Sequence, residues 1–306
     1  MSPSTAPAQG SCGLPSHPEA PPRVSALIVS YNTRDLLLES IASVVDQPGV
    51  ETIVLDNASH DGSAQAVAER FPAVHLIQSE SNIGFAAGVN RAAACAGGRT
   101  LLVLNPDARL EPDALDLLLE VLDRTPRAAL VGPTLRYPDG TAQPAAFHFP
   151  GLVQIALDLF PVDRLMVSPL NGRVSSSRRP VQIDHPLGAC MLIDRAAWQD
   201  VGPLDEGYFM YLEEIDWCRR ARQRGWQIWH HPAAVAIHHG GQSTRQQPDV
   251  MFAQLWRSRL RYYQRFSDPA YNRLVHTLVR FGLGRVADKA SRRRAALIEA
   301  VRRLAS

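Results

Sequence analysis

The chain has 306 residues, with 32 Lys or Arg against 30 Asp or Glu for a formal net charge of +2, and 45% of it is hydrophobic. That length suffices for one large α/β domain with an appendage, or for two modest domains. No apolar stretch approaches the ~20 residues that span a bilayer, and the N-terminus lacks the basic and apolar regions of a signal peptide, so a cytoplasmic protein is expected.

Residues 1–22 hold six prolines among Ser, Gly and Ala and are expected to form a disordered leader. Strand and helix patterns then alternate: VSALIVS (24–30), a helix over about 35–46, ETIVLD (51–56), a helix over about 62–70, and VHLIQ (74–78). A helix over about 84–96, TLLVLN (100–105), a helix over about 112–124 and AALVGP (128–133) follow. Short β-branched runs between helical patterns predict βαβ units and a mostly parallel, doubly wound sheet. Residues 151–180, rich in Pro, Ser and Arg, read as a long irregular insertion, a candidate mobile lid or acceptor loop. ACMLID (189–194), a helix from about Glu213 to Arg224, strands near 226–230 and 233–238, and basic helices over 250–306 complete the chain. The four cysteines form no CxxC pair, and three of them sit in runs where a thiol packs as a small hydrophobe.

Charge is uneven. Residues 257–306 carry 13 Arg or Lys against 3 Asp or Glu, leaving 19 against 27 in residues 1–256. Such a tail suits an anionic lipid surface or nucleic acid, although a composition rich in Arg and Ala supplies many arginines without a function. The expectation taken here is peripheral contact with an anionic membrane at the inner face of the cell, with no nucleic-acid partner.

In open parallel sheets, ligands bind beyond the carboxyl ends of the strands. Ser30, Tyr31 and Asn32 follow the first strand; Asp56, Asn57, Ser59 and Asp61 the second; Asn82, Gly84 and Phe85 the third; Asn105, Pro106 and Asp107 the fourth. Turn formers and helix caps account for some of these singly. Four polar clusters at four successive strand ends argue for a site. No GxGxxG follows the first strand and no GxxxxGK[ST] occurs, so a diphosphate needs another source of positive charge. Asp107 could recruit Mg²⁺ or Mn²⁺, or it could merely open a turn.

The runs SALIVSYN (25–32), VLDNASHDGS (54–63), SNIGFAAGVN (81–90), LNPDARL (104–110), GACMLIDRAAW (188–198), GPLDEGYFMYLEEIDWCRRARQRGW (202–226) and HHGGQS (238–243) together resemble glycosyltransferase family 2, in particular its rhamnosyltransferase-like branch. The resemblance covers about residues 24–245. It implies a GT-A-type doubly wound, mostly parallel sheet with helices on both faces, here followed by a basic helical C-terminal extension. It implies a domain over 23–245, split into a nucleotide-sugar-binding half (23–135) and an acceptor-binding, catalytic half (136–245), with the extension at 246–306. The implied reaction is inverting, metal-dependent transfer of a sugar from a nucleotide-diphosphate donor to a glycan or polyprenyl-linked acceptor of the cell envelope. Rhamnose from dTDP-rhamnose comes first by branch, with galactofuranose, N-acetylglucosamine or glucose behind it. A nucleotidyltransferase making nucleotide sugars and a non-catalytic scaffold of the same fold stay open, as does a homo-oligomer.

Carried over by residue, Asp56 matches the acid that reads the nucleobase, Ser30, Tyr31 and Asn32 wall the nucleoside, and Asn57 and Asn105 join the donor-binding set. Asn82, Gly84 and Asn90 match the segment along the donor. The metal motif stands as Asn105-Pro106-Asp107, with only Asp107 offering a carboxylate, and His238 falls where relatives close the metal or diphosphate site. Gly188, Ala189, Tyr211 and Glu213 match the acceptor side. The family's usual Glu-Asp stands as Glu213-Glu214, which puts Glu214 at the position of the general base, with Glu213 and Asp216 as alternatives. Acids in the first turn of a helix also simply favour its dipole, by ~0.3–1 kcal/mol each.

Overall fold

The computed structural model describes residues 21–160, 172–174, 177, 179–287 and 292–304. The expected leader lies outside these residues except for 21–22, as does the middle of the expected insertion, 161–171.

Strands β1 (Val24–Ser30), β2 (Val50–Asp56), β3 (His75–Gln78) and β4 (Thr100–Leu104) pair in parallel in the order β3-β2-β1-β4. All seven residues of β1 and all five of β4 are buried, which explains why they read as unbroken apolar runs: both faces of the sheet are covered. Side chains alternate between two cores. Ala26 and Ile28 meet α1 (Arg34–Ala42), α2 (Ser63–Arg70) and α4 (Ala114–Arg124) through Leu37, Ile41, Val67 and Leu118. Leu27 and Val29 meet α3 (Phe85–Ala94) through Phe85 and Val89. Each such buried Leu, Ile or Phe contributes about 1.5–3 kcal/mol.

Beyond β4 the sheet is mixed, in the order β4-β11-β6-β12-β5. β11 (Cys190–Asp194) runs antiparallel between β4 and β6 (Ala128–Arg136). Its Cys190 is a buried free thiol, as is Cys218. The two strands expected over 226–238 are one, β12 (Gln227–His238), whose register shifts between His231 and Val235 where Pro232 cannot donate to the ladder. Edge strand β5 (Ala108–Leu110) pairs antiparallel with β12, and short β7 (Ala142–Gln143) with β6. β8 (Ala146–Phe147) and β10 (His185–Pro186) form a separate ladder, and β9 (Val181–Ile183) joins β12. There the His185 ring stacks on Phe147 and Phe149 at centroid distances of 5.4 and 6.2 Å, and burial pulls its pKa down to about 4.

Helices α6 (Arg195–Val201) and α7 (Glu213–Gln223) cover the same face as α3. Part of the segment expected to be irregular is helical: α5 (Leu152–Leu159), whose LVQIALDL run buries Ile155, Leu157 and Leu159. After the short α8 (Gln242–Arg245), α9 (Pro248–Phe266), α10 (Pro269–Ala287) and α11 (Arg292–Leu304) form the expected helical extension. These helices have a third core with α5, built on Leu159, Trp256, Tyr263, Val275, Val279, Ile298 and Val301. Among the described residues no helix is long and apolar enough to cross a membrane.

Candidate active site

The carboxyl ends of β1, β2 and β4 open on one cleft of about 570 Å³. They deliver Ser30, Tyr31, Asn57 and Asn105 to its wall, and Asn82 comes from the turn before α3. Asp107 and His238 meet there because β5 and β12 pair antiparallel, with His238 opposite Ala108. The Asp107 carbonyl accepts from the His239 N–H at 3.0 Å, which fixes the approach. His238 Nε2 lies 3.4 Å from Asp107 Oδ1, both side chains being buried. Burial pushes the Asp107 carboxyl up, but the His238 ring and the Gln242 N–H outweigh it and hold the carboxyl below its usual range.

The other ring nitrogen of His238, Nδ1, pairs with Gln143 Oε1 at 2.9 Å. Nε2 faces the Asp107 carboxylate, buried and without a hydrogen-bond partner in the protein. A buried ring nitrogen left over beside a carboxylate oxygen is a fitting seat for a cation, which would take the place of the proton that ring and carboxylate otherwise share. Among the described residues no group of three or more His, Cys, Asp and Glu side chains could hold a metal unaided. Asp107 and His238 fit a divalent ion whose remaining ligands are phosphate oxygens and water, the habit of Mg²⁺ and Mn²⁺.

Two carboxylates enter the same cleft from the start of α7. Tyr211 and Leu212 both hold positive φ, 70° and 67°, a conformation costing non-glycine residues about 1–2 kcal/mol each. This double left-handed turn precedes Glu213 and Glu214, and both side chains line the cleft. The Glu213 and Glu214 Oε2 atoms are buried without a hydrogen-bond partner. Burial raises the Glu214 carboxyl to about 7, while N–H groups of the helix start, at Leu212, Glu214 and Ile215, limit the rise. Glu213 is pushed well above its ordinary range by burial and then by the charge of Glu214. Gly188 lies against Glu214, and a Cβ at position 188 would only touch Glu214 Cδ, at 3.4 Å. Gly188, Ala189 and Tyr211 line the cleft beside these acids.

Asp216 is elsewhere. Fully buried, it accepts from Arg220 Nε at 2.7 Å and Tyr208 Oη at 3.3 Å, and pairs with Arg265 of α9 at 3.1 Å. Asn90 also lies outside the cleft lining; its amide ties α3 to Leu204 and Glu206. Gly84 serves close packing: its φ is +87°, and a Cβ there would sit 2.5 Å from the Phe209 carbonyl oxygen. Asn32 braces neighbouring loops through the His60 N–H and Gln246. Asp56, buried at the end of β2, accepts from the Ser59 N–H through Oδ2, while Oδ1 has no protein partner.

The cleft also contains Gln143, Phe209 and Met210, together with Gln247, Val250 and Met251 from the start of the helical extension. Gln143 and the extension residues carry no sequence signal. They reach the cleft through a two-residue strand and a helix that lies beyond the last motif.

A family model described as Glycosyl transferase family 2 matches residues 25–202. The chain is 33% identical over 227 residues to an N-acetylglucosaminyl-diphospho-decaprenol L-rhamnosyltransferase of Mycobacterium tuberculosis, covering 69% of this chain and 73% of that protein. Among solved structures, a mannosyltransferase of Pyrobaculum calidifontis in complex with GDP-Man and Mn²⁺ aligns with a TM-score of 0.57 at 18% identity, over 94% of this chain and 81% of that one. GalNAc-T7 with UDP, GalNAc and Mn²⁺ aligns with a TM-score of 0.53 at 16% identity, over 72% of this chain and 44% of that one. At such identities the structural likeness is one of fold, the GT-A arrangement.

Proposed function

The chain belongs to glycosyltransferase family 2, and from that premise we propose that it transfers a sugar, with inversion, from a nucleotide-diphosphate donor to a hydroxyl of a lipid-linked glycan during cell-envelope synthesis. Rhamnose from dTDP-rhamnose is the proposed donor, supported by the mycobacterial relative's rhamnosyl transfer to a decaprenyl-linked acceptor. The observation that carries the reading is the single cleft in which the Asp107–His238 pair and the Glu213–Glu214 pair both present unpartnered buried atoms.

Ser30, Tyr31, Asn57 and Asn82 line the side of the cleft at the ends of the parallel strands, where a nucleoside would lie, and the free Asp56 Oδ1 suits a nucleobase N–H. A divalent cation, Mg²⁺ or Mn²⁺ by the Mn²⁺ of the structural neighbours, held by Asp107 and His238, would supply positive charge for the departing diphosphate. Glu214 takes the proton of the acceptor hydroxyl as its oxygen bonds to the anomeric carbon and the bond to the diphosphate breaks on the opposite face. A base titrating near 7 suits this work at neutral pH. Glu213, beside it in the same cleft, is placed to hydrogen-bond the acceptor. The proposed location is the cytoplasmic face of the membrane, contacted through the basic extension.

The test is incubation of the purified protein with dTDP-rhamnose, UDP-N-acetylglucosamine and UDP-glucose, with Mg²⁺ or Mn²⁺ and a polyprenyl-diphosphate N-acetylglucosamine acceptor. Product from dTDP-rhamnose with inverted configuration is expected. No transfer from any donor would overturn the reading.

A further inference from the structure

The +10 surplus counted over residues 257–306 is smaller in the folded chain, because several arginines are paired. Arg259 faces Asp158, and Arg261 and Arg265 hold Asp205, acids from outside that range, while Arg302 pairs with Glu299, already counted within it. Arg273 and Arg280 of α10 have no carboxylate partner among the described residues.

They sit on one stripe. With about 100° per residue, Val275, Val279 and Leu283 mark the buried face of α10; Asn272 falls within that arc and His276 at its margin, then Arg280, Arg273 and Thr277. Leu274 and Phe281 point outward beyond them. Arg302 of α11 closes the other side, its Nε donating to the Arg280 carbonyl at 3.1 Å. The result is a cleft of about 500 Å³ lined by Arg273, His276, Thr277, Arg280, Phe281 and Arg302. The Asn272 Oδ1 and His276 Nε2 atoms are buried without partners. The guanidinium groups of Arg273, Arg280 and Arg302, with a hydroxyl and a ring nitrogen between them, make a site for a phosphate.

The rim indicates which phosphate. Phe281 is 64% exposed and Leu274 46%, and the Phe281 ring meets that of Phe160, itself 36% exposed, at 6.5 Å. Large apolar side chains held in water beside a basic cleft match the boundary between headgroups and acyl chains. We propose that this cleft seats the phosphate of an anionic phospholipid headgroup while Phe281 and Leu274 enter the bilayer surface. The inference deepens the membrane contact proposed above by assigning it to particular residues.

The test uses the full chain and vesicles of phosphatidylcholine, with and without phosphatidylglycerol. Point variants are required, since deleting α11 would remove the core residues Ile298 and Val301. The wild type should bind only the anionic vesicles. Arg273→Gln with Arg280→Gln should weaken that binding about 30-fold, from roughly a factor of five per arginine. The charge-matched pair Arg70→Gln with Arg124→Gln should change it little, and Phe281→Ser should weaken it without changing its dependence on salt. Equal losses in the two double variants would mean that bulk charge does the binding, and the assigned cleft would be wrong. Unchanged binding of the Arg273 and Arg280 variant would also overturn it. Failure to bind either vesicle sinks the membrane contact together with the cleft, even if inorganic phosphate shifts the His276 ring signals. Sugar transfer to a soluble acceptor, scored in parallel, judges the transferase reading by itself.

Discussion

Replacing Glu214 with Gln should lower activity and raise stability in the same protein. The side chain keeps its shape and loses its basicity, so turnover should fall by about 10²–10⁴ while donor affinity holds. In the wild type the rate should rise with pH through about 7, where Glu214 ionises; the residual rate of the variant should lose that limb. Stability moves the other way. The carboxyl titrates at 4.5 when unfolded and at about 7 when folded, so between these values the native state binds more protons than the unfolded one. The group's contribution is complete below 4.5 and is lost as pH rises through 7. A difference of two to three pH units amounts to about 3 kcal/mol. Gln cannot ionise, so the metal-free variant should melt above the metal-free wild type at pH 8 and not at pH 4.5. Glu213→Gln keeps the shape of the neighbouring side chain without touching the proposed base, and should change the rate far less. Asp216→Asn should instead damage the fold, because it strips the buried partner from Arg220 and Arg265. Calorimetric melting across pH, alongside initial rates, checks all three variants. A Glu214→Gln protein that retains the acidic limb, or that is destabilised at pH 8, would refute the reasoning.

Asp107→Asn should abolish cation-dependent binding of a nucleoside diphosphate in titration calorimetry while the circular dichroism spectrum stays that of the wild type. Gly84→Ala should cost about 3 kcal/mol or more, measured from the denaturant midpoint, because the new methyl group meets the Phe209 carbonyl at a φ that only Gly tolerates. His185, with a folded pKa near 4 against 6.5 unfolded, should make the protein lose stability as pH falls from about 6.5 towards 4, by about 3 kcal/mol. His185→Phe should flatten that part of the melting profile.

The parallel strands are legible in the sequence because burial on both faces makes them apolar runs, and the polar residues after them stand out by contrast. Strand β11 has the same apolar signature, but nothing in its composition reveals that it runs backwards between β4 and β6. The adjacency of Asp107 and His238 depends on pairing by β5, only three residues long, with a strand more than a hundred residues away. Local pattern cannot express that. α5 was hidden by its neighbours: eight apolar-rich residues beside a Pro- and Ser-rich stretch average out to a loop. The burial of both Glu213 and Glu214 in one cleft follows from the double left-handed turn at Tyr211 and Leu212, residues with no intrinsic preference for it.

The antiparallel insertion of β11 also governs the order in which the chain can be completed. β4 ends at Leu104, and the strand that covers its free edge begins at Cys190, so during synthesis that edge waits for more than eighty further residues. Until then β1 to β4 form a half-sheet with an exposed border that is apolar from Leu101 to Leu104, open to pairing with another nascent chain. A fragment ending near residue 135 would have β6 without the strand that joins it to β4, and should aggregate. Residues 23–135 and 136–245 are thus joined in one sheet, stitched by a strand that the later segment lends to the earlier.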